Sequence, residues 1–222
     1  MKIKTELLET KCYYHIYNRA NGSEKIFLNE ENYLFFLQKY IEYIHPIAET
    51  YCYCLMPNHF HFLIKIREEQ LLIDYFKNKT KAKLNLQDDI NLQGFKNLAG
   101  LSIENLAGLS PENLSSLVSK QFGDFFNAYT QAFNKQQNRK GSLFMKNFKR
   151  IKIEEEYYLK KLVHYIHFNP VEAILCVKPD DWKFSSYQSL ISTGKSLLNR
   201  EEVISWFDNL ENFKYIHQNQ TL

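Results

Sequence analysis

The run Cys54-Leu-Met-Pro57-Asn58-His59-Phe-His61-Phe-Leu-Ile64 leaves the chain little choice of local fold. Residues on both sides favour extended backbone, and Pro-Asn has turn chemistry, so the text predicts two strands, about 47–56 and 59–66, joined at Pro57-Asn58. Successive strand side chains point to opposite faces. His59 and His61 therefore share one face, and Phe60, Phe62, Ile64 and Ile66 share the other. The phenylalanine face is expected to be a core and the histidine face a site.

The rest of the chain supplies more than enough material to bury that core. With 222 residues and 45% hydrophobic composition, one well-cored domain with an appendage is expected. The net charge of +3, from 28 basic and 25 acidic residues, argues neither for nor against a polyanionic partner. Met1 to Lys11 lacks the apolar stretch of a signal peptide, and no segment approaches the roughly 20 apolar residues of a membrane span. A cytoplasmic location without a membrane partner is expected. Cys12, Cys52, Cys54 and Cys176 are too sparse for a disulfide scaffold and are read as reduced thiols. Fifteen tyrosines and 17 phenylalanines can serve cores or stack on bases, so no single tyrosine is informative by its presence.

Residues 12–18 read as a first strand followed by a Gly22 turn, and a helix is expected from Glu30 to His45, capped by Asn29 and stopped by Pro46. This is a β-α-β-β opening. A lysine-rich helix follows over 71–84. Residues 97–102 and 105–110 both read NLAGLS, too short a repeat for a solenoid, and 93–110 is read as an inserted flap. A long helix should begin with Ser110 as cap and Pro111 at its first position, reaching about Gln137. The acid run 154–156 opens another helix carrying Tyr157, Tyr158 and Tyr165, and Pro170 is expected to start a new one. A helix over 200–207 and a polar tail complete a helical extension from about residue 190.

Three constellations can carry chemistry. His59 and His61 can converge on one divalent cation, or they can be ordinary residues of a half-exposed strand. A rival set joins them to Cys52 and Cys54, which a two-residue turn would bring to the same face, as a structural Cys2His2 zinc site. On the later helix Tyr158, Tyr165 and Asn169 fall on one face at spacings of seven and four. Asn169-Pro170-Val171-Glu172 also fits a capping box for a following helix. Third, residues 135–152 hold Arg139, Lys140, Lys146, Lys149, Arg150 and Lys152 with no acid, interleaved with Phe144 and Phe148. They form the clearest polyanion-binding stretch.

Four texts in this order, CLMPNHFHFLI, RKGSLFMKNFKRI, VHYIHFNPVEA and DWKFSSYQSL, resemble the REP-associated tyrosine transposases, the single-tyrosine HUH class of insertion-sequence type, over about Tyr13 to Leu190. The NLAGLS insert departs from that pattern. The resemblance implies an α+β sandwich with a ferredoxin-like antiparallel sheet, helices and extra C-terminal helices, forming one domain over 1–222. It implies a DNA strand transferase that cleaves and rejoins single-stranded DNA through a 5′-phosphotyrosine. Tyr165 is then the nucleophile, with Mg2+ or Mn2+ held by His59, His61 and Asn169. Single-stranded or hairpin DNA is the expected partner, with a second copy of the chain as another candidate. A single-stranded nucleic-acid binder without chemistry and a metal-dependent nuclease without a covalent intermediate remain the alternatives.

Overall fold

The structure is a computed structural model that describes residues 6–88 and 110–219, without the side chains of 83–88. Apart from Ser110, the flap expected at 93–110 lies outside the described residues. Four strands form one sheet: β1 (Tyr13–Arg19), β2 (Ala48–Met56), β3 (His59–Ile66) and β4 (Lys149–Ile153). Their order is β2-β3-β1-β4 and every neighbouring pair is antiparallel. With α1 (Glu30–Tyr43) between β1 and β2, and α2 (Glu69–Asp88) and α3 (Pro111–Gln136) between β3 and β4, the topology is the ferredoxin-like split β-α-β pair.

Local chemistry sets the helix boundaries. Asn29 accepts a hydrogen bond from the Asn32 N–H at 3.0 Å to start α1, and Ser110 accepts one from Asn113 at 3.3 Å to start α3, with Pro111 as its first residue. Both helices cover the phenylalanine face, where Phe60 and Phe62 of β3 and Ile16 of β1 are buried against Phe36, Tyr40, Phe122 and Phe125. Tyr40 stacks on Phe62 at 4.2 Å, and Phe36 stands edge-on to Tyr129 at 5.0 Å.

The opposite face is not simply a site. Cys52, Cys54 and Leu63 are buried there beneath Leu159, Val163 and Ile166 of α4 (Glu156–Glu172), so a second core occupies most of it. After a 3-10 turn (Pro179–Asp181), three further helices extend that core: α5 (Tyr187–Ile191), α6 (Arg200–Ser205) and α7 (Leu210–Asn219). Only the end of the face that carries His59 and His61 is left to a site. The DWKFSS text closes the outer edge of β2: the Leu55 N–H donates to Phe184 O at 2.9 Å, the Ser186 N–H donates to Tyr53 O at 2.9 Å, and Trp182 Nε1 donates to Leu55 O at 3.0 Å.

Three sequence expectations are corrected. The basic stretch up to residue 152 contains a strand, β4, that its lysines disguise; charged residues are normal on an edge strand. Helix α4 runs through Pro170 instead of stopping before it, because Asn169 stays helical and its amide donates to Tyr165 O at 2.8 Å instead of capping a new helix. The expected polar tail is the helix α7, whose Phe213 and His217, four residues apart, are buried against α4. Among the described residues, no helix is long and apolar enough to cross a membrane.

A buried hydrogen-bonded chain fastens α7 to α4 and β2. Phe213 O can only accept, so His217 Nδ1 donates to it at 2.8 Å; His217 Nε2 then accepts from His167 Nδ1 at 3.0 Å, and His167 Nε2 accepts from Ser186 Oγ at 2.8 Å. With both rings neutral, the state that burial favours, every ring nitrogen has a partner. Burial accordingly holds His217 down at about 3 and His167 well below its usual value. In the unfolded chain both would titrate near 6.5, so as pH falls the unfolded state takes up protons first. Stability should be full above about pH 6.5 and fall below it, by about 1.4 kcal/mol per pH unit for each histidine. Urea midpoints at pH 7.5 and 5.0 should show this loss, and His217→Leu should reduce the difference even while lowering stability at pH 7.5.

Candidate active site

The antiparallel register decides which side chains meet. His61 lies opposite Tyr17 and His59 opposite Arg19 on β1, while Tyr17 lies opposite Lys149 on β4. This face therefore carries His59, His61, His15, Tyr17, Arg19 and Lys149, and α4 lays Tyr165 over it. The Tyr165 ring stands edge-on to His61 at 5.6 Å and to His15 at 6.1 Å. It remains 42% exposed. Tyr158, two turns earlier, is 54% exposed and meets Tyr157 rather than a histidine. Asn169 is buried one turn after Tyr165, its side chain near enough to His59 to raise that ring's basicity.

Both HFH histidines are oriented through Nδ1. That of His59 meets Asn58 Oδ1 at 2.7 Å, and that of His61 meets His15 Nε2 at 2.8 Å. Their Nε2 atoms are thus the nitrogens available to a ligand. Burial is the main force lowering the basicity of all three rings, taking His15 to about 4 and His61 to about 2. His15 and His59 add to the effect on His61. For His59 a hydrogen bond with Asn169 opposes burial, while the Arg19 charge reinforces it. Neutral imidazoles at pH 7 compete with no proton for a metal ion.

The spacing of the His59 and His61 rings fits a divalent cation shared between the two imidazoles. With metal–nitrogen bonds of about 2.1 Å, two imidazoles roughly 90–110° apart around an ion hold their ring centres about 4.5–5.2 Å apart. The His59 and His61 rings are 5.1 Å apart with planes at 90°. Nitrogen donors alone would favour zinc or nickel over magnesium. The rival Cys2His2 zinc set is overturned: among the described residues no group of three or more His, Cys, Asp or Glu could hold a metal ion. Cys52 and Cys54 are fully buried in the second core, and burial raises both thiols above their usual range.

The basic stretch divides in two. Arg139 is tied to Glu24 at 2.8 Å and Lys152 to Glu9 at 2.7 Å. Arg150 lies over Phe148, 4.2 Å from the ring centre, and donates to Ser119 Oγ at 2.6 Å on the α3 side of the sheet. Lys140, Lys146 and Lys149 are exposed and make no ion pair among the described residues. Lys149 stands beside Tyr17, and residues 144 and 145 run against the end of β1, with the Met145 N–H donating to Arg19 O at 2.9 Å. Sequence reasoning missed His15, Tyr17 and Arg19. Alternation along the first strand was the available signal, but it becomes useful only once the β1–β3 register is known.

The architecture is an α+β sandwich built on a four-stranded antiparallel sheet. A REP-associated tyrosine transposase solved bound to a REP hairpin has this fold, with a TM-score of 0.54, 12% sequence identity and 89% of each chain covered. At that identity the likeness is one of fold. No family model matches the sequence, and no curated protein matches it either.

The two kinds of basic residue should respond differently to loss of charge. If the exposed lysines meet single-stranded DNA, Lys149→Gln should weaken that binding and reduce the slope of log affinity against log salt by about 0.7. Arg150→Gln should lower thermal stability and leave that slope unchanged. Salt titrations of both variants, beside their melting curves, measure the division; equal slopes for Lys149→Gln and the unmodified protein would remove Lys149 from the DNA path.

Proposed function

We propose that the chain is a single-tyrosine DNA strand transferase that cuts and rejoins single-stranded DNA. The observation that carries this reading is the meeting of Tyr165 with His59, His61 and Asn169 at one end of the sheet, with the Tyr165 ring exposed. The transposase with this fold was solved with a hairpin, which supports a hairpin-bearing strand as substrate here.

Tyr165 Oη attacks the scissile phosphorus in line. Oη gives its proton to water as the Oη–P bond forms and the bond to the 3′ oxygen breaks, and the 3′ oxygen takes a proton from water, giving a 5′-phosphotyrosine and a free 3′-hydroxyl. The phosphotyrosine keeps a phosphodiester-type linkage, so a 3′-hydroxyl can reverse the step and join strands without ATP. A divalent cation, Mg2+ or Mn2+ in this reading, would draw charge from a non-bridging phosphate oxygen as the phenolate attacks. His59 and His61 would hold that ion through their neutral Nε2 atoms and Asn169 through its Oδ1, the Asn169 Nδ2 being given to Tyr165 O. Tyr165 is held in place by α4, since Asn169 ties back to its carbonyl. Arg19 and Lys149 flank the histidines and supply positive charge for neighbouring phosphates.

Incubated with Mn2+ and a hairpin-bearing strand labelled 3′ of the cut, the protein should carry label through denaturing electrophoresis. Tyr165→Phe should lose the label, and Tyr158→Phe and Tyr17→Phe should keep it. Phe preserves the ring and removes only the hydroxyl, so the Tyr165→Phe melting temperature should barely change. Binding without cutting would favour a domesticated nucleic-acid binder, and cutting without a covalent species a hydrolytic nuclease.

His59→Ala and His61→Ala should each abolish labelling with the fold retained. A chelator should stop the reaction without unfolding the protein, because the thiols beside the histidines are core residues and not zinc ligands. Unfolding on chelation would return the structural zinc site.

A further inference from the structure

His15 is the one histidine at the site to which the proposed reaction assigns no part. It is 7% exposed on β1, its ring lies 5.1 Å from that of His61 with planes 24° apart, and its Nε2 is 2.8 Å from His61 Nδ1. In the register His15 faces Leu63 and His61 faces Tyr17, so the contact is the diagonal one between strands, within reach of large rings. We propose that His15 is the positioning residue for His61: its Nε2 accepts the His61 Nδ1–H, holding the ring in the tautomer whose Nε2 lone pair faces the ion site. The inference rests on the reading of His61 as a metal ligand.

Hydrogen counting supports this. Two neutral imidazoles with nitrogens 2.8 Å apart share one hydrogen, and two arrangements satisfy the contact. If His15 donates, His61 keeps its proton on Nε2 and cannot ligate through that atom. If His61 donates, Nε2 carries a lone pair, and ligation selects this arrangement. His61 makes no other hydrogen bond among the described residues, so His15 is the acceptor that lets it do so. His59 follows the same plan, with Asn58 Oδ1 taking its Nδ1–H at 2.7 Å. Metal-binding histidines generally depend on such a partner for tautomer and ring orientation. A ring filling space beneath Tyr165 would need no nitrogen at this position.

The test uses the full chain with His15→Phe, His15→Gln and His61→Ala. Phe keeps a ring and removes the acceptor, whereas Gln returns an acceptor oxygen near the place of Nε2; Met replaces Phe as the apolar arm if His15→Phe does not fold. Mn2+ affinity is read by calorimetry without DNA, and the His61 tautomer by its ring 15N shifts in metal-free protein. His15→Phe should weaken Mn2+ binding roughly 10- to 100-fold, with His15→Gln recovering most of the loss. The 15N shifts of His61 should change in His15→Phe, while DNA binding in the presence of chelator stays as in the unmodified protein. Wild-type Mn2+ affinity and unchanged His61 shifts in His15→Phe overturn the proposal; so does an equal loss in the Phe and Gln variants, which would make the role one of packing. Undiminished Mn2+ binding by His61→Ala would instead sink the ligand reading, and the metal-free shifts would still decide whether His15 sets the His61 tautomer.

Discussion

Everything at the site depends on the antiparallel register between β1 and β3. It is the pairing that sets Tyr17 against His61 and Arg19 against His59, and so turns alternate residues of two separate segments into one surface. A slip of one residue would invert β1, exchanging His15 and Tyr17 for Ile16 and Asn18. That slip is opposed from below, because Ile16, Phe60 and Phe62 all sit in the core under α1 and α3. Packing on the phenylalanine face thus pins the chemistry on the other. His59 and His61 have fixed neighbours because Phe60, Phe62 and Ile64 have nowhere else to go.

Much of this arrangement was legible in the sequence because it is written in short-range patterns. The β2–β3 hairpin followed from alternation about Pro57-Asn58, and α1 and α3 from Asn29, Ser110 and Pro111. What could not be read was non-local. Nothing in the text KRIKI says that it is a strand, or which side of a sheet Lys149 and Arg150 will each face. The pairing of β4 with β1 decides it, leaving Lys149 beside Tyr17 while Arg150 lies over Phe148. His15 was hidden for the same reason, since its neighbour lies 46 residues away. The C-terminal helix was missed because its burial rests on only a few positions, among them Phe213 and His217, amid polar residues.

Proline was the misleading signal in α4. A proline inside a helix removes a backbone donor and pushes against the carbonyl four residues back, and the residue before it tends to leave the helical region. Here the burial of Ile166, His167, Phe168 and Asn169 along the same stretch outweighs that tendency, and the helix continues to Glu172. Continuity matters to the site. Were Asn169 the cap of a separate helix, its distance from Tyr165 would depend on a loop; within one helix the two are a turn apart, joined by the Asn169 amide and the Tyr165 carbonyl. The nucleophile and the third donor of the proposed reaction are then carried by one rigid element laid over a sheet that carries the other two.

The make-up of that donor set has a thermodynamic consequence. Two neutral imidazoles and an amide bring no negative charge to a divalent cation, and Arg19 and Lys149 nearby oppose it. In the proposed reaction the missing anion is the DNA phosphate, which neutralises the cation as it is bound. Occupancy of the ion site and occupancy of the DNA path then reinforce each other, and by linkage the factor by which DNA tightens the ion equals the factor by which the ion tightens DNA. A carboxylate in place of Asn169 would hold the ion more firmly without DNA and weaken that dependence. In that reaction the amide would let Lys149 and Arg19 sit next to a cation site, because the charge balance would close only when phosphate, ion and basic side chains are together.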